Sequence, residues 1–328
     1  MPPLLQDALI ESPLRVEQTV PRTWVRRRSL DNVLVTEVRA CGDRFICAGR
    51  LPTAHRFFND AGRRPQDDIL FYTELSHQAS LAVCHAFLNV GQDDVFIVEG
   101  SHAAITDAAW KVSCEEGEAV AIEVRVQDMI SRKNNAVSRM VTEHTMSIGA
   151  QHVFRGTGVF TIQPSALFQR LRRLSAGRTA AALFDAGTSM TEPRTPYVPR
   201  ATGDNIAISP PRRGHANAIA ATVVVDRAHP YFFDRDCDYV PSTLLLEACA
   251  QLASSSFLAT TGIEPLGISD CTASFTQFVE PGLPVVVAAH VGLWTRADRV
   301  APAVFLNISQ QDTLCGTATM HLAVPSGR

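Results

Sequence analysis

Two glutamates at matched positions are the residues of this sequence best suited to chemistry. Glu74 is followed four residues later by Gln78, and Glu247 by Gln251, with 173 positions between the members of each matched pair. Each glutamate lies in an apolar run typical of a buried helix, where burial raises the pKa of an unpaired carboxyl toward that of a general base. We therefore expect at least one of Glu74 and Glu247 to be catalytic. The alternative is that each carboxylate binds a buried backbone group.

Gln78 and Gln251 lie one turn after the glutamates on the same helix face. They are expected either to orient the carboxylate or to bind a substrate carbonyl, and a purely structural role is an equal alternative.

An aromatic segment precedes each glutamate. His55 leads to Phe57 and Phe58 in the first half, and His229 leads to a second Phe-Phe pair, at an offset of 174 for the histidines and 175 for the Phe pairs. A period this long indicates a duplicated domain rather than a solenoid repeat. His55 and His229 are candidate substrate-binding residues, with a structural role at a turn as the alternative. The phenylalanines are expected to pack in the core or to line an acyl tunnel.

The order of predicted elements is also repeated. Strand-like segments precede a long apolar run, over residues 69–88 in the first half and 244–258 in the second, and four strand-like segments follow each run. Because the apolar runs have no polar face, we expect both helices to be buried on nearly all sides. A sheet wrapped around one buried helix is an α+β domain of hotdog architecture, and two in tandem make a double hotdog.

The predicted organisation has three parts. Residues 1–174 form an N-terminal hotdog repeat, residues 218–328 form a C-terminal one, and residues 175–217 form an irregular linker rich in Arg, Pro, Thr, Ala and Gly.

The composition excludes several classes of protein. The 328 residues are 46% hydrophobic and 19% charged, with a net charge of −3, which is typical of a globular protein and does not favour binding to nucleic acid or to an anionic membrane. The eight cysteines have no zinc-type spacing, and most of them lie in apolar runs, where they are expected to be buried and reduced. The first residues have neither the basic start nor the apolar stretch of a signal peptide, so a cytoplasmic protein is expected.

Signatures of cofactor binding are absent from the sequence. It contains no GxGxxG segment after a strand, no Walker-type GK[ST] and no metal-binding constellation, so no cofactor and no metal are expected. The basic runs at 26–28 and 170–173 are too short and too poor in aromatic residues to predict nucleic-acid binding. The second run is expected to be a solvated helix face, or a surface for an acidic carrier protein.

The repeated segments resemble a known family. The second-half segment HPYFFDRDCDYVPSTLLLEACAQ is similar to a motif of hotdog dehydratases that act on acyl carrier protein, and more similar to the A-factor biosynthesis hotdog family, whose second repeat reads roughly HPxFFDHPxDHVPGMLLLEAARQ. The positions that match are His229, Pro230, Phe232, Phe233, Asp234, Asp238, Val240, Pro241, Leu244, Leu245, Leu246, Glu247, Ala248 and Gln251. The first repeat matches at His55, Arg56, Phe57, Phe58, Arg64, Asp68, Glu74 and Gln78.

The resemblance implies a double hotdog and a β-ketoacyl transfer. The donor is an acyl carrier protein thioester and the acceptor is the hydroxyl of dihydroxyacetone phosphate or a similar small alcohol, in the synthesis of γ-butyrolactone or butenolide signalling molecules. A homo-oligomer is possible within this interpretation.

This chemistry implies further site residues. A thioester carbonyl needs hydrogen-bond donors as its oxygen gains charge, and the helix N-terminus near Ser242 and Thr243 offers free amides. A phosphorylated acceptor needs cations. The arginines near the repeated segments are Arg56, Arg63, Arg64, Arg212, Arg213 and Arg235, and a solvated surface position is the alternative for each.

The chain also departs from the family pattern. Arg235 stands where the family commonly has His, and His77 and Ala250 stand where it has the Arg before Gln. Chemistry that depends on the dehydratase histidine is therefore not expected. The competing hypotheses are a hotdog thioesterase or dehydratase-like enzyme, and an acyl-binding protein that has lost catalysis.

Overall fold

The chain forms two compact units. The computed structural model describes residues 14–60, 64–113, 118–132, 136–179, 198–213, 218–235, 237–296 and 299–324. One unit comprises Met1–Asn59 and Arg63–Ala176, and the other comprises Asp60–Gly62 and Gly177–Arg328. No helix among the described residues combines the length and the apolarity that crossing a membrane requires.

The first unit is an antiparallel sheet with a central helix. Its strands are β1 (Val35–Cys41), β2 (Arg44–Arg50), β3 (Val95–Ile105), β4 (Ala119–Ser131), β5 (Val137–Ile148) and β6 (Gln151–Gln163). They pair in the order β1-β2-β4-β5-β6-β3, and helix α1 (Ile69–Phe87) packs against their inner face. A second helix, α2 (Ser165–Thr179), follows β6.

The second unit repeats this arrangement. Its strands are β7 (Arg212–Arg213), β8 (Ile219–Thr222), β9 (Gly267–Phe275), β10 (Val285–Arg296), β11 (Arg299–Gln310) and β12 (Thr313–Ala323). They pair in the order β9-β12-β11-β10-β8-β7 around helix α3 (Ser242–Thr261). In each unit the predicted architecture, a sheet wrapped around one buried helix, is confirmed.

The two central helices begin differently. Asp68 caps α1, because its side chain accepts a hydrogen bond from the backbone N–H of Leu70 at 3.0 Å. Pro241 precedes α3 and provides no side-chain cap. Helix α3 ends at Gly262, whose φ of 71° is the left-handed conformation that favours glycine at this position.

The segment expected to be a linker has ordered parts with specific contacts. Helix α2 extends into it, and a single turn of 3-10 helix, Gly203–Asn205, matches the turn Leu30–Asn32 of the first unit at an offset of 173. In the described range 198–213, Arg200 and Asn205 are buried in the second unit. The expected linker over 175–217 therefore contains regular elements at 175–179, 203–205 and 212–213, together with buried polar side chains that its composition does not reveal.

Within α2 the arginines do not form one solvated face. Arg170 and Arg173 are exposed, but Arg172 is buried.

Candidate active site

In the first unit the central helix carries a buried carboxylate that is ion-paired. Glu74 is 1% exposed, and its Oε1 accepts hydrogen bonds from Arg27 Nη2 at 2.5 Å and from Gln78 Nε2 at 2.6 Å. Gln78 Nε2 also donates to the Asn32 carbonyl at 2.8 Å, and Gln78 Oε1 accepts from the Leu34 amide at 2.8 Å. Gln78 therefore fastens α1 to the chain that enters β1 and holds Glu74 in position.

The second unit contains the same constellation. Glu247 is 2% exposed, and Arg200 binds it through two hydrogen bonds, Nε to Oε1 at 2.7 Å and Nη2 to Oε2 at 2.9 Å. Gln251 Nε2 donates to Glu247 Oε1 at 2.6 Å and to the Asn205 carbonyl at 2.8 Å, and Gln251 Oε1 accepts from the Ala207 amide at 2.9 Å. The residues that make these contacts match those of the first unit at the offset of 173, although the atoms that join arginine to glutamate differ.

The expectation that the two glutamates are unpaired acids is wrong. Burial raises the pKa of the Glu74 carboxyl, but the charges of Arg27 and His77 and the hydrogen bonds from Gln78 and Arg27 outweigh burial and leave this pKa below its usual range. The expected rise in the pKa of Glu74 is therefore also wrong. The cations come from residues 47 positions before each glutamate, outside the helix whose apolar sequence suggested an unpaired acid.

The two carboxylates differ in one respect. Arg200 and Gln251 together occupy both oxygens of Glu247. In the first unit both described hydrogen bonds to the Glu74 carboxylate reach Oε1, and the buried Oε2 has no hydrogen-bond partner among the described residues.

His55 and His229 organise turns. Nδ1 of His55 accepts hydrogen bonds from the amides of Phe57 and Phe58 at 3.1 and 3.2 Å, so the ring proton is on Nε2, which lies 2.9 Å from Asn32 Oδ1. Burial, followed by the charge of Arg27, lowers the pKa of His55 to about 4, so this imidazole is neutral near pH 7. Since both ring nitrogens have partners inside the protein, the geometry favours the structural alternative for His55.

His229 has the same geometry. Its Nδ1 accepts from the amides of Tyr231 and Phe232, both at 3.2 Å, and its Nε2 lies 3.1 Å from Asn205 Oδ1. Tyr231 and Phe232 are therefore the counterparts of Phe57 and Phe58, which corrects the sequence alignment of the two Phe-Phe pairs. A constant offset of 174 holds from the histidine through the aromatic residues.

An aspartate completes the network of the second unit. Asp60 belongs to this unit, and its carboxylate accepts hydrogen bonds from Thr202 Oγ1 at 2.8 Å, from the Thr202 amide at 3.0 Å and from Asn205 Nδ2 at 3.0 Å. Burial raises the pKa of Asp60, but these hydrogen bonds and the charge of Arg200 leave it below its usual value. Asn205 thus links Asp60 to His229.

The inner face of the first unit carries additional polar groups. His77 lies on α1, is half-buried and has its ring 5.7 Å from that of Phe160. Ser80, one turn later, lies 2.8 Å from Nε2 of His144, a residue of β5 that is 1% exposed. At the offset of 173, the second unit has Ala250 and Ala253 in place of His77 and Ser80. The helix surface of the second unit is therefore apolar at these two positions.

The residues expected to bind the thioester carbonyl or a phosphate are in different environments. Ser242 and Thr243 are the first two residues of α3 and are half-buried. Arg56 is exposed, and Arg64 binds the Asp67 carboxylate at 2.7 and 2.8 Å. Arg235 is half-buried, and its buried Nε has no hydrogen-bond partner among the described residues.

The remaining predicted arginines add little to the site. Arg212 and Arg213 form the exposed strand β7, and Arg63 lies outside the described residues. Within the described ranges, no group of three or more His, Cys, Asp or Glu side chains is placed to hold a metal ion.

The sequence reasoning did not predict four residues of these networks. In the sequence, Arg27 belongs to a short basic run, and Arg200 and Asn205 belong to the expected linker. Asn32 begins a segment, residues 32–36, whose sequence is typical of a strand. A usable signal existed, since Arg27 and Asn32 recur as Arg200 and Asn205 at the offset of 173 that relates the glutamates.

Comparisons with known proteins agree with this duplicated architecture. A 2-oxo-3-(phosphooxy)propyl 3-oxoalkanoate synthase of Streptomyces virginiae is 27% identical over 250 residues, which cover 74% of this chain and 80% of that protein. A protein of the same name from Streptomyces coelicolor is 27% identical over 285 residues, 84% of each chain.

Among solved structures, one described as an oleoyl thioesterase from Lactobacillus plantarum is 15% identical. Its TM-score is 0.53, and the match covers 86% of this chain and 96% of that one. This likeness supports the hotdog fold alone.

The family assignment comes from both halves of the chain. The model of the A-factor biosynthesis hotdog domain matches residues 10–162 and residues 188–326. The resemblance and the tandem double hotdog that the sequence predicted are thereby confirmed. The chain belongs to the A-factor biosynthesis hotdog domain family.

Proposed function

We propose that this protein is an acyltransferase that moves a β-ketoacyl group from an acyl carrier protein thioester to the hydroxyl of dihydroxyacetone phosphate. The ester is an intermediate in the synthesis of a γ-butyrolactone or butenolide signalling molecule. The observation that carries the proposal is membership of the A-factor biosynthesis family over both repeats, together with the duplicated Glu-Arg-Gln constellation on the two central helices.

The names of the relatives support the substrate class. A 2-oxo-3-(phosphooxy)propyl 3-oxoalkanoate is the ester of a β-keto acid with dihydroxyacetone phosphate, and both Streptomyces relatives are named as its synthases. Forming such an ester from a thioester requires removal of a proton from the hydroxyl, stabilisation of charge on the carbonyl oxygen and protonation of the leaving sulfur.

The described residues offer groups for two of these requirements. Glu74 and Glu247 each place a negative charge inside one unit, and such a charge stabilises a positive charge that develops beside it during proton transfer. The backbone amides at a helix N-terminus suit the carbonyl oxygen. Those of α3, at Ser242 and Thr243, have no side-chain cap, whereas the Leu70 amide near the start of α1 donates to the Asp68 carboxylate.

Among the arginines, Arg235 is the one we propose for recognising a phosphate. Its buried Nε is a hydrogen-bond donor without a described acceptor, and a phosphate oxygen is a strong acceptor. Arg64 is already engaged by Asp67.

The proposal is tested by incubating the purified chain with a β-ketoacyl pantetheine thioester and dihydroxyacetone phosphate. The products are followed by mass spectrometry, and the released thiol by a colorimetric reagent. We expect a phosphorylated ester or butenolide. Free β-keto acid without a phosphorylated adduct indicates a thioesterase instead, and unchanged thioester indicates an acyl-binding protein.

Two variants connect the reaction to the site. Replacing both carboxylates, as Glu74→Gln with Glu247→Gln, should abolish the adduct. The exposed Glu264, just beyond the end of α3, provides the matched control Glu264→Gln, which should retain the activity.

A further inference from the structure

We propose that the proton-transfer group of this acyltransferase is His77, acting with Glu74 in the first unit. The inference rests on the function proposed above and deepens it, since it names the base and the repeat that provides it.

The two carboxylates differ in the hydrogen-bond donors that reach their oxygens. Both oxygens of Glu247 are occupied by donors from Arg200 and Gln251, so this carboxylate has the contacts of a structural ion pair. In Glu74, by contrast, the donors from Arg27 and Gln78 both reach Oε1. Its Oε2 is buried and lacks a donor among the described residues, and a buried carboxylate oxygen in that condition is costly unless a ligand or a cationic group uses it.

The two units also differ in the residue three positions after each glutamate. Residues i and i+3 are neighbours on a helix surface, so the side chain at this position lies beside the carboxylate. It is His77 in the first unit and Ala250 in the second. At this position the first unit has a side chain that exchanges protons near neutral pH, and the second unit does not.

Burial separates the roles of the two residues in the first unit. Glu74 is 1% exposed, whereas His77 is half-buried, so the imidazole is the more accessible of the two groups. The two groups are coupled electrostatically, because a charge on His77 lowers the pKa of Glu74. Arg27 and Gln78 keep Glu74 ionised, so Glu74 acts by its charge and the imidazole carries the proton.

The surroundings of His77 suit a base that must hold a positive charge briefly. Two titratable groups described near it are Glu74, which is paired with Arg27, and His144 on β5. Burial lowers the pKa of His144 to about 3, so His144 is neutral near pH 7 and adds no repulsion. The ring of Phe160 on β6 also lies beside the imidazole.

In the proposed reaction His77 moves one proton from the acceptor hydroxyl to the leaving sulfur. The imidazole of His77 accepts the hydroxyl proton of the acceptor, and the hydroxyl oxygen forms a bond to the thioester carbonyl carbon. When the C–S bond breaks, the sulfur receives the proton from the imidazolium and leaves as a thiol, which returns His77 to its neutral form. The negative charge of Glu74 stabilises the imidazolium between the two transfers.

The test compares His77→Ala with His85→Ala in the assay of adduct and released thiol. His85 is a half-buried histidine of the same helix, and its Nδ1 lies 3.0 Å from the Val90 carbonyl, so it is a matched control for removal of an imidazole. We expect kcat/KM to fall by about 100-fold or more in His77→Ala, in the range that general bases contribute. His85→Ala should keep the wild-type rate.

Three further measurements separate a proton-transfer role from a structural one. Free imidazole in the buffer should restore part of the activity of His77→Ala. The wild-type pH profile of kcat/KM should rise through the titration range of histidine, and this limb should disappear in His77→Ala. The double variant His77→Ala with Glu74→Gln should be no slower than His77→Ala alone, since the two residues act as a unit.

The outcomes distinguish this inference from the proposed function. If the wild type releases thiol without forming an adduct, and the release depends on His77, the acceptor assignment fails and the base assignment holds. If the adduct forms at an unchanged rate in His77→Ala, the base assignment fails and the proposed function holds. A wild type that neither forms adduct nor releases thiol overturns both.

Discussion

Removal of the Arg200 guanidinium is the substitution expected to destabilise the second unit most. The side chains of Arg200 and Glu247 are 1% and 2% exposed, and two hydrogen bonds of 2.7 and 2.9 Å join them. Arg200→Met keeps much of the apolar stem but leaves the Glu247 charge buried, with Gln251 as its remaining side-chain donor among the described residues. Breaking a buried ion pair by removing one partner costs about 3–5 kcal/mol of unfolding free energy.

This loss is large relative to the total stability. A domain typically unfolds with a free energy of about 5–15 kcal/mol, so the variant should lose a substantial fraction of its margin. For a domain of this size the same loss corresponds to a fall in the unfolding temperature of roughly 6–20 °C.

The assay is urea unfolding followed by circular dichroism, applied to Arg200→Met, Glu247→Gln and the double variant. The double variant should be more stable than Arg200→Met, because neither charge then remains buried alone. Arg64→Met is the control, since the side chains of Arg64 and Asp67 are 46% and 24% exposed and a surface pair contributes at most about 1 kcal/mol.

Two results would refute this reasoning. If Arg200→Met is destabilised no more than Arg64→Met, the buried pair does not have the energetics of a desolvated ion pair. If the double variant is as unstable as Arg200→Met, the cost comes from lost packing of the arginine stem rather than from an unpaired carboxylate.

Three more predictions concern buried groups. Burial lowers the pKa of His144 from 6.5 to about 3, so between these pH values the unfolded chain binds a proton that the folded chain does not. The unfolding free energy should therefore decrease as the pH falls from 6.5 toward 3. Acid unfolding curves of His144→Leu should lack this contribution. Gly156→Ala should lower the free energy of unfolding in urea by about 1–3 kcal/mol, because the new Cβ would lie 2.7 Å from a backbone carbonyl oxygen of the neighbouring strand. The control Gly203→Ala should lower it less, because its Cβ would meet no atom within 4 Å. Burial raises the pKa of the Cys249 thiol, so mass spectrometry after brief alkylation of the native protein should find Cys237, which is half-buried, modified before Cys249.

The sequence predicted the elements of the fold well because their signals are local. The apolar run over 69–88 predicted a helix that the structure has at Ile69–Phe87, and the run over 244–258 lies within Ser242–Thr261. A helix without a polar face must be buried, and a repeated order of strand, helix and strands leaves few architectures. The positions of Glu74 and Glu247 on these helices were also predictable from the sequence.

The sequence did not predict the environment of the glutamates, because it depends on contacts between distant segments. Arg27 and Arg200 lie 47 residues before the carboxylates they bind, in segments whose composition indicated a basic run and a linker. Charge pairing reversed the expected direction of the Glu74 pKa.

The sequence by itself therefore determined the duplication, the helices and the identity of the residues available for chemistry. Only the tertiary structure decided which of them are paired, because burial and hydrogen bonding depend on the approach of side chains in three dimensions. It showed that none of the residues it describes donates to Oε2 of Glu74, whereas both oxygens of Glu247 accept hydrogen bonds. Two repeats that match at their glutamates in sequence are thus unequal in the chemistry that they can perform.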